Sequence, residues 1–133
     1  MGQPAAIQNS VVVAVDTHIV MVPTPGGPVP TPLPHAFQGM IDGGTVATVK
    51  IAGQPAAVVG STTTNNPPHI PTPPGVSFQV PPANRGTVQL GSATVKIGGN
   101  PAARNADGVV TCDDIAPTAP KGKIIAVGTV LIG

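Results

Sequence analysis

The sequence has little from which to build a large core or a charged binding surface. It contains no Trp or Tyr and only two Phe, so it lacks the large rings that bury most area in domains and on which bases stack. Charged residues make up 8% of the chain and the formal net charge is +1, too little for a phosphate-binding surface. These shortages argue against nucleic acid as a partner.

Long apolar runs and an N-terminal export signal are also missing. No stretch of 18 apolar residues occurs, so we expect no membrane span. The first residues show no basic region followed by an apolar stretch, which predicts a protein without a signal peptide that begins in the cytoplasm. The 133 residues fit a single domain covering positions 1–133.

A single cysteine excludes an internal disulfide, so Cys112 is a free thiol, a metal ligand or an intermolecular link. The apolar residues are mostly Val and Ala, which predicts a thin core, and small thin domains usually gain a disulfide or a metal as an additional cross-link. With the disulfide excluded, a metal is the remaining candidate.

Proline and glycine are abundant instead. The 18 Pro and 17 Gly make up about a quarter of the chain, a composition that can accompany disorder. A comparable share of aliphatic residues and a net charge near zero favour a folded protein. Residues 23–34 hold six prolines and residues 67–82 hold seven, so we expect stiff loops there rather than strands, with flexible linkers as the alternative.

A ten-residue unit occurs three times. Residues 48–57 (TVKIAGQPAA) and 94–103 (TVKIGGNPAA) are identical at eight positions. The third copy is split, because the chain ends in TVLIG (129–133) and begins with GQPAA at residues 2–6. We therefore expect the three copies to close a ring with a pseudo-threefold axis and neighbouring termini.

Each copy has the pattern of a β-hairpin. Thr-Val-Lys-Ile alternates polar and apolar residues as a half-buried strand does, and Gly-Gln-Pro or Gly-Asn-Pro favours a turn. The Ala-Ala-Val-Val that follows residue 55 is a candidate return strand. Pro or Gly interrupts every stretch of helical period, so the predicted fold is all-β and made of short hairpins.

Three histidines and the cysteine are candidate metal ligands. His18 and His69 each lie twelve residues after the last Ala of a unit, and Cys112 lies nine residues after the last Ala of its own. Equivalent positions of a threefold ring converge near the axis, where His35 would complete a tetrahedral site. The set predicts one Zn²⁺ per chain, with iron as the alternative metal.

Other interpretations of these residues are a solvated histidine and a small buried cysteine. A nucleophilic Cys112 with a histidine base, or a metal with an open position, would make the chain an enzyme. We expect no enzyme, because the five aspartates form no general-acid motif and the sequence lacks a nucleophile elbow, a phosphate loop and a zinc-protease motif.

Residues 91–104 (GSATVKIGGNPAAR) resemble the repeat consensus of the PAAR-repeat family, with Pro101-Ala102-Ala103-Arg104 as the signature. The other two copies carry Ile7 and Val58 where the arginine would stand. An arginine is therefore not required in all three copies, and the role of Arg104 stays open.

The resemblance implies a pseudo-threefold cone of short β-strands with one zinc near its apex, held by three His and one Cys. Its base would cap a homotrimeric β-helical spike protein, one tip per trimer, in a type VI secretion system or a phage-tail-like extracellular injection particle. Such a tip is assembled in the bacterial cytoplasm, leaves with the particle, and touches the target membrane transiently. We expect a bare tip that carries effectors only non-covalently.

A second candidate function is a small secreted zinc-binding adhesin or toxin fragment that acts without a spike. A neighbouring gene for a sheath or spike protein would distinguish the two.

Overall fold

The computed structural model describes residues 2–114 and 120–133, and these residues form an all-β protein. The strands within them are β1 (Gln3–Pro4), β2 (Val11–Val22), β3 (Val29–Gly43), β4 (Val46–Ile51), β5 (Gln54–Ala56), β6 (Thr62–Asn65), β7 (Ser77–Phe78), β8 (Arg85–Val88), β9 (Lys96–Ile97), β10 (Asn100–Pro101), β11 (Gly108–Val110), β12 (Gly122–Ile125) and β13 (Leu131–Ile132). Over these ranges the chain has no helix long and apolar enough to cross a membrane.

Six strands close a barrel. They pair antiparallel in the order β12–β11–β8–β6–β3–β2, and β2 pairs in turn with β12. Strand β7 adds to the outer part of β2, with Phe78 opposite Val20. Alternate side chains of the barrel strands point inward and form the main core, which includes Phe37, Ile41 and Ile124.

The three copies of the ten-residue unit form three separate hairpins, β4–β5, β9–β10 and β1–β13. The last of these joins the two ends of the chain, with Gln3 opposite Ile132. The hairpin prediction is therefore confirmed, including the split copy. The predicted return strand over Ala-Ala-Val-Val is wrong beyond Ala56, because the chain leaves the hairpin there.

The second alanines of the three units form a closed ring of backbone hydrogen bonds. The N–H of Ala6 donates to the Ala103 carbonyl, that of Ala103 to Ala57, and that of Ala57 to Ala6, each at 3.0 Å. All three alanines are fully buried. The same bond repeated three times within one chain creates the pseudo-threefold axis that the repeats predicted.

A tight turn follows each ring alanine. The residue after the alanine donates its backbone N–H to a polar side chain three residues further on. The pairs are Ile7 with Ser10 Oγ (2.9 Å), Val58 with Ser61 Oγ (3.0 Å) and Arg104 with Asp107 Oδ2 (2.8 Å). In the third turn the carboxylate also accepts hydrogen bonds from the Arg104 guanidinium at 3.0 and 3.1 Å. Arg104 therefore accompanies an aspartate that replaces a serine, which explains why the other two copies manage without it.

The ring lies where the large core of the barrel meets a smaller core. The ring alanines belong to the barrel core, whereas Ala5 and Ala102 pack with Ile132 in a smaller core between the hairpins. Strand β2 leaves the ring at Val11 and reaches His18 after seven further residues, about 23 Å along the strand at 3.3 Å per residue. The hairpins and the histidine on β2 therefore lie toward opposite ends of the barrel.

The predicted loop over residues 23–34 is wrong for its second half. Residues 29–34 belong to β3 and pair with β2. In a strand, the backbone N–H and carbonyl groups of every second residue point to the same side. The prolines at 30, 32 and 34 are an even number of residues from Gln38, so they share its orientation. The Gln38 N–H donates to Asn65 Oδ1 and its carbonyl accepts from the Asn66 N–H, both on the side away from β2. The missing proline N–H groups therefore point away from β2, and no hydrogen bond between the two strands is lost.

Strands β2 and β3 are also longer than the predicted short strands, with 12 and 15 residues. They pair continuously from Val11 opposite Met40 to Val22 opposite Val29, beyond the barrel. Residues 67–82, the second proline-rich segment, are irregular apart from β7.

Candidate metal centre

Four side chains bring potential ligand atoms together at the end of the barrel away from the ring. One atom each from Asp16, His18, His69 and Cys112 lies within 4.8 Å of the other three. Asp16 and His18 have no exposed surface, and the His69 side chain is 3% exposed. Two imidazoles, one thiol and one carboxylate at this spacing can hold a single metal ion.

Each ligand group comes from a segment that follows a ring alanine. Asp16 and His18 lie two residues apart on β2 and point to the same face. His69 lies in the irregular segment after β6, where its backbone N–H donates to Asn84 Oδ1 at 2.8 Å. Cys112 lies just after β11. The pseudo-threefold axis therefore brings together three of the residues that the repeat register selected.

Asp16 is the member of the group that sequence reasoning missed. Its Oδ2 lies 3.1 Å from His69 Nε2 and 3.3 Å from Cys112 Sγ, and its other oxygen accepts a hydrogen bond from the Thr111 hydroxyl. Its position two residues before His18 in an alternating strand was the signal for a shared face. Which of the five aspartates would meet the other two segments was not visible in that pattern.

His35, the fourth predicted ligand, lies beside the group rather than in it. Its ring centroid is 5.3 Å from that of His18 and 5.6 Å from that of His69. Its Nδ1 donates to the Leu33 carbonyl at 2.9 Å, and its Nε2 accepts the Thr72 N–H at 3.1 Å. Both ring nitrogens are thus bonded to backbone.

Burial lowers the pKa of His35, and the nearby His18 and His69 lower it further. The His35 ring is therefore neutral near neutral pH, as its acceptor role toward Thr72 requires.

Both phenylalanines of the chain pack on the histidines. Phe78 lies with its ring centroid 5.7 Å from that of His18 and 5.3 Å from that of His35, and Phe37 lies 6.2 Å from His69. The few large apolar side chains thus shield this end of the barrel from water.

Cys112 is a poor nucleophile in this environment. Burial raises the pKa of its thiol to about 12, and the charge and hydrogen bond of Asp16 add to the shift. A divalent cation bound to the sulfur would replace the proton and remove this penalty. A thiolate and the Asp16 carboxylate would together neutralise the two positive charges of Zn²⁺.

Comparison with known protein families and with curated proteins finds no match to this chain. The alanine ring and the ligand group are therefore the features that bear on its function.

Proposed function

We propose that this chain is a structural, metal-stabilised pointed cap on the trimeric spike of a contractile injection system, where it helps the spike to pierce target envelopes. The observation that carries the proposal is the closed ring of alanine hydrogen bonds, because it gives one chain a pseudo-threefold end. A homotrimer offers three equivalent patches around its axis, and three similar hairpins can meet them one to one.

The hairpins carry exposed aliphatic side chains that suit a protein partner. Val49 and Val130 occupy the same position of their repeat units and are 37% and 45% exposed, and Leu131 is 59% exposed. Apolar groups at the same place in related hairpins form the kind of surface that is covered in an interface.

A bound metal would stiffen the opposite end. It would tie Asp16 on β2 to His69 and Cys112, which lie 53 and 96 residues further along the chain. Structural zinc sites contribute on the order of 10 kcal/mol to folding, comparable with the stability of a whole domain. Such a cross-link lets a thin end with few large side chains resist unfolding under load.

We assign zinc to this site, with His18, His69 and Cys112 as three of the ligands. Two residues compete for the fourth position. The resemblance to PAAR-repeat proteins favours His35, whereas the contacts of Asp16 with His69 and Cys112 favour the carboxylate. Ligation by His35 Nε2 requires the loss of its hydrogen bond with Thr72.

The test of the proposed function is the stoichiometry with a spike protein encoded beside this chain. The two are co-expressed and purified together, and the mass of the intact complex is measured. We expect one copy of this chain for every three spike chains. A trimer formed by this chain alone, or the absence of binding to the neighbouring spike protein, would overturn the proposal.

A further inference from the structure

Two consecutive aspartates, Asp113 and Asp114, bond to the backbone of β2. The Asp113 Oδ1 accepts the Thr17 N–H at 2.6 Å, and the Asp114 N–H donates to the Thr17 carbonyl at 3.0 Å. The Asp114 Oδ2 accepts the Ile19 N–H at 2.9 Å. Asp114 is therefore held by backbone groups on both sides of His18.

The second carboxylate oxygen of Asp114 reaches the His18 ring. Its Oδ1 lies 3.0 Å from His18 Nδ1, and His18 is fully buried. An ionised carboxylate only accepts hydrogen bonds, so Nδ1 is the nitrogen that carries the hydrogen, and in the neutral ring the lone pair is then on Nε2. The Nε2 atom faces Cys112 Sγ at 3.7 Å and therefore points into the ligand group.

Asp113 does not contact the His18 ring. Its carboxylate bonds the Thr17 N–H and pairs with Lys121 Nζ at 2.6 Å. Both aspartates thus attach the same segment to the same strand, but Asp114 is the one that bonds the His18 ring. Asp113 is consequently a matched control for the backbone contribution.

We propose that Asp114 is a positioning residue of the metal centre and holds His18 in the tautomer that presents Nε2 to the metal. This role rests on the proposed metal binding. Carboxylates that bond the far nitrogen of a ligating histidine fix the orientation of its ring and raise its basicity. In Asp114→Asn, the amide oxygen can still accept the Ile19 N–H, and the amide NH₂ then faces His18 Nδ1. An NH₂ group donates hydrogen bonds, so it favours the His18 tautomer with the hydrogen on Nε2.

The test compares zinc affinities of the full chain by competition with a chromophoric chelator. We expect Asp114→Asn to weaken zinc binding by about 10–100-fold and Asp113→Asn by no more than roughly threefold. Equal affinities of the wild type and Asp114→Asn, or equal losses in both variants, would overturn the positioning role while metal binding stands. A wild-type chain that binds no zinc would overturn the metal centre and this role with it.

A second measurement needs no variant and therefore does not depend on whether the variants fold. Nitrogen-15 NMR of the zinc-loaded wild type identifies which ring nitrogen of each histidine binds the metal. We expect zinc on Nε2 of His18 and a hydrogen on Nδ1. Zinc on Nδ1 would contradict the proposal, because that nitrogen would then be unable to donate to Asp114.

Discussion

At the scale of single residues, Asp16 and His35 differ in the hydrogen bonds that each would lose on binding a metal. The Asp16 oxygen near His69 and Cys112 already faces the ligand atoms, and its other oxygen is held by Thr111. His35 would have to release the Thr72 backbone and move its Nε2 toward the group. A fully buried carboxylate is also costly without a counter-charge, and a divalent cation supplies one.

Zinc content distinguishes the two candidates for the fourth ligand. If the carboxylate binds the ion, Asp16→Asn should lower zinc affinity by at least about tenfold, since the charge and the ligand are both lost, whereas His35→Gln should change it little. Elemental analysis after dialysis against a weak chelator measures the difference. The reverse order would assign the fourth position to His35.

Loss of the thiol should cost stability as well as metal. We expect Cys112→Ser to destabilise the zinc-loaded protein by about 3 kcal/mol or more, which corresponds to a fall in melting temperature of roughly 10 °C, because removal of a structural ligand removes folding free energy. Asp42→Ala is the control, since Asp42 is exposed and lies outside the group. Equal and small effects in thermal unfolding would show that Cys112 is not a structural ligand.

At the scale of secondary-structure elements, the long β2–β3 hairpin carries Asp16 and His18 of the ligand group, and its outer edge is protected. Beyond the barrel, β3 has no partner strand on the side away from β2 among the described residues. The prolines at 30, 32 and 34 remove the N–H groups that an additional strand would bond. The same residues therefore allow pairing with β2 and prevent pairing with another chain.

The side of β3 to which the proline nitrogens point can be tested by placing a proline at a neighbouring position. Thr31→Pro should destabilise the protein by about 3 kcal/mol, because residue 31 has the opposite orientation and its N–H points toward β2, where it pairs with Val20. Pro32→Ala should change the free energy of unfolding by less than about 1 kcal/mol. Urea denaturation of both variants measures the contrast, and a similar loss in both would contradict the assigned register.

At the scale of the whole molecule, the two ends of the barrel differ in symmetry. The hairpin end is nearly threefold because three copies of a similar ten-residue unit form it, and one of the hairpins joins the two ends of the chain. The other end is asymmetric, since its ligand group is two histidines, a cysteine and an aspartate from three unequal segments. One chain can thus match a trimer at one end and carry a single metal at the other.

Spike binding should depend on the hairpin end and not on the barrel wall. Val130 beside β13 and Val15 on β2 are 45% and 59% exposed, so a lysine at either site remains accessible to water in the free protein. We expect Val130→Lys to weaken the complex with the spike protein at least about tenfold, because no copy of the unit has a charge at this position and the new charge is desolvated in the interface, and we expect Val15→Lys to leave the complex unchanged. Titration by light scattering or calorimetry measures both. A stronger effect of Val15→Lys would place the contact on the barrel.

Several features of this protein are determined by the sequence alone. The period-two alternation, the repeated turn residues and the split unit predict the hairpins and their ring, because similar segments form the same pattern of hydrogen bonds. The equal offsets of His18 and His69 similarly predict their meeting, since they depend on that symmetry and not on the course of the loops.

Other features depend on which strand lies on which side, and only the tertiary structure decides this. A proline is compatible with a strand when its nitrogen faces away from the partner, so the course of residues 29–34 could not be inferred without knowing that β2 lies on one side only. In the same way, Asp16 enters the ligand group because segments from distant parts of the chain close over β2, and a local pattern contains no information about that approach.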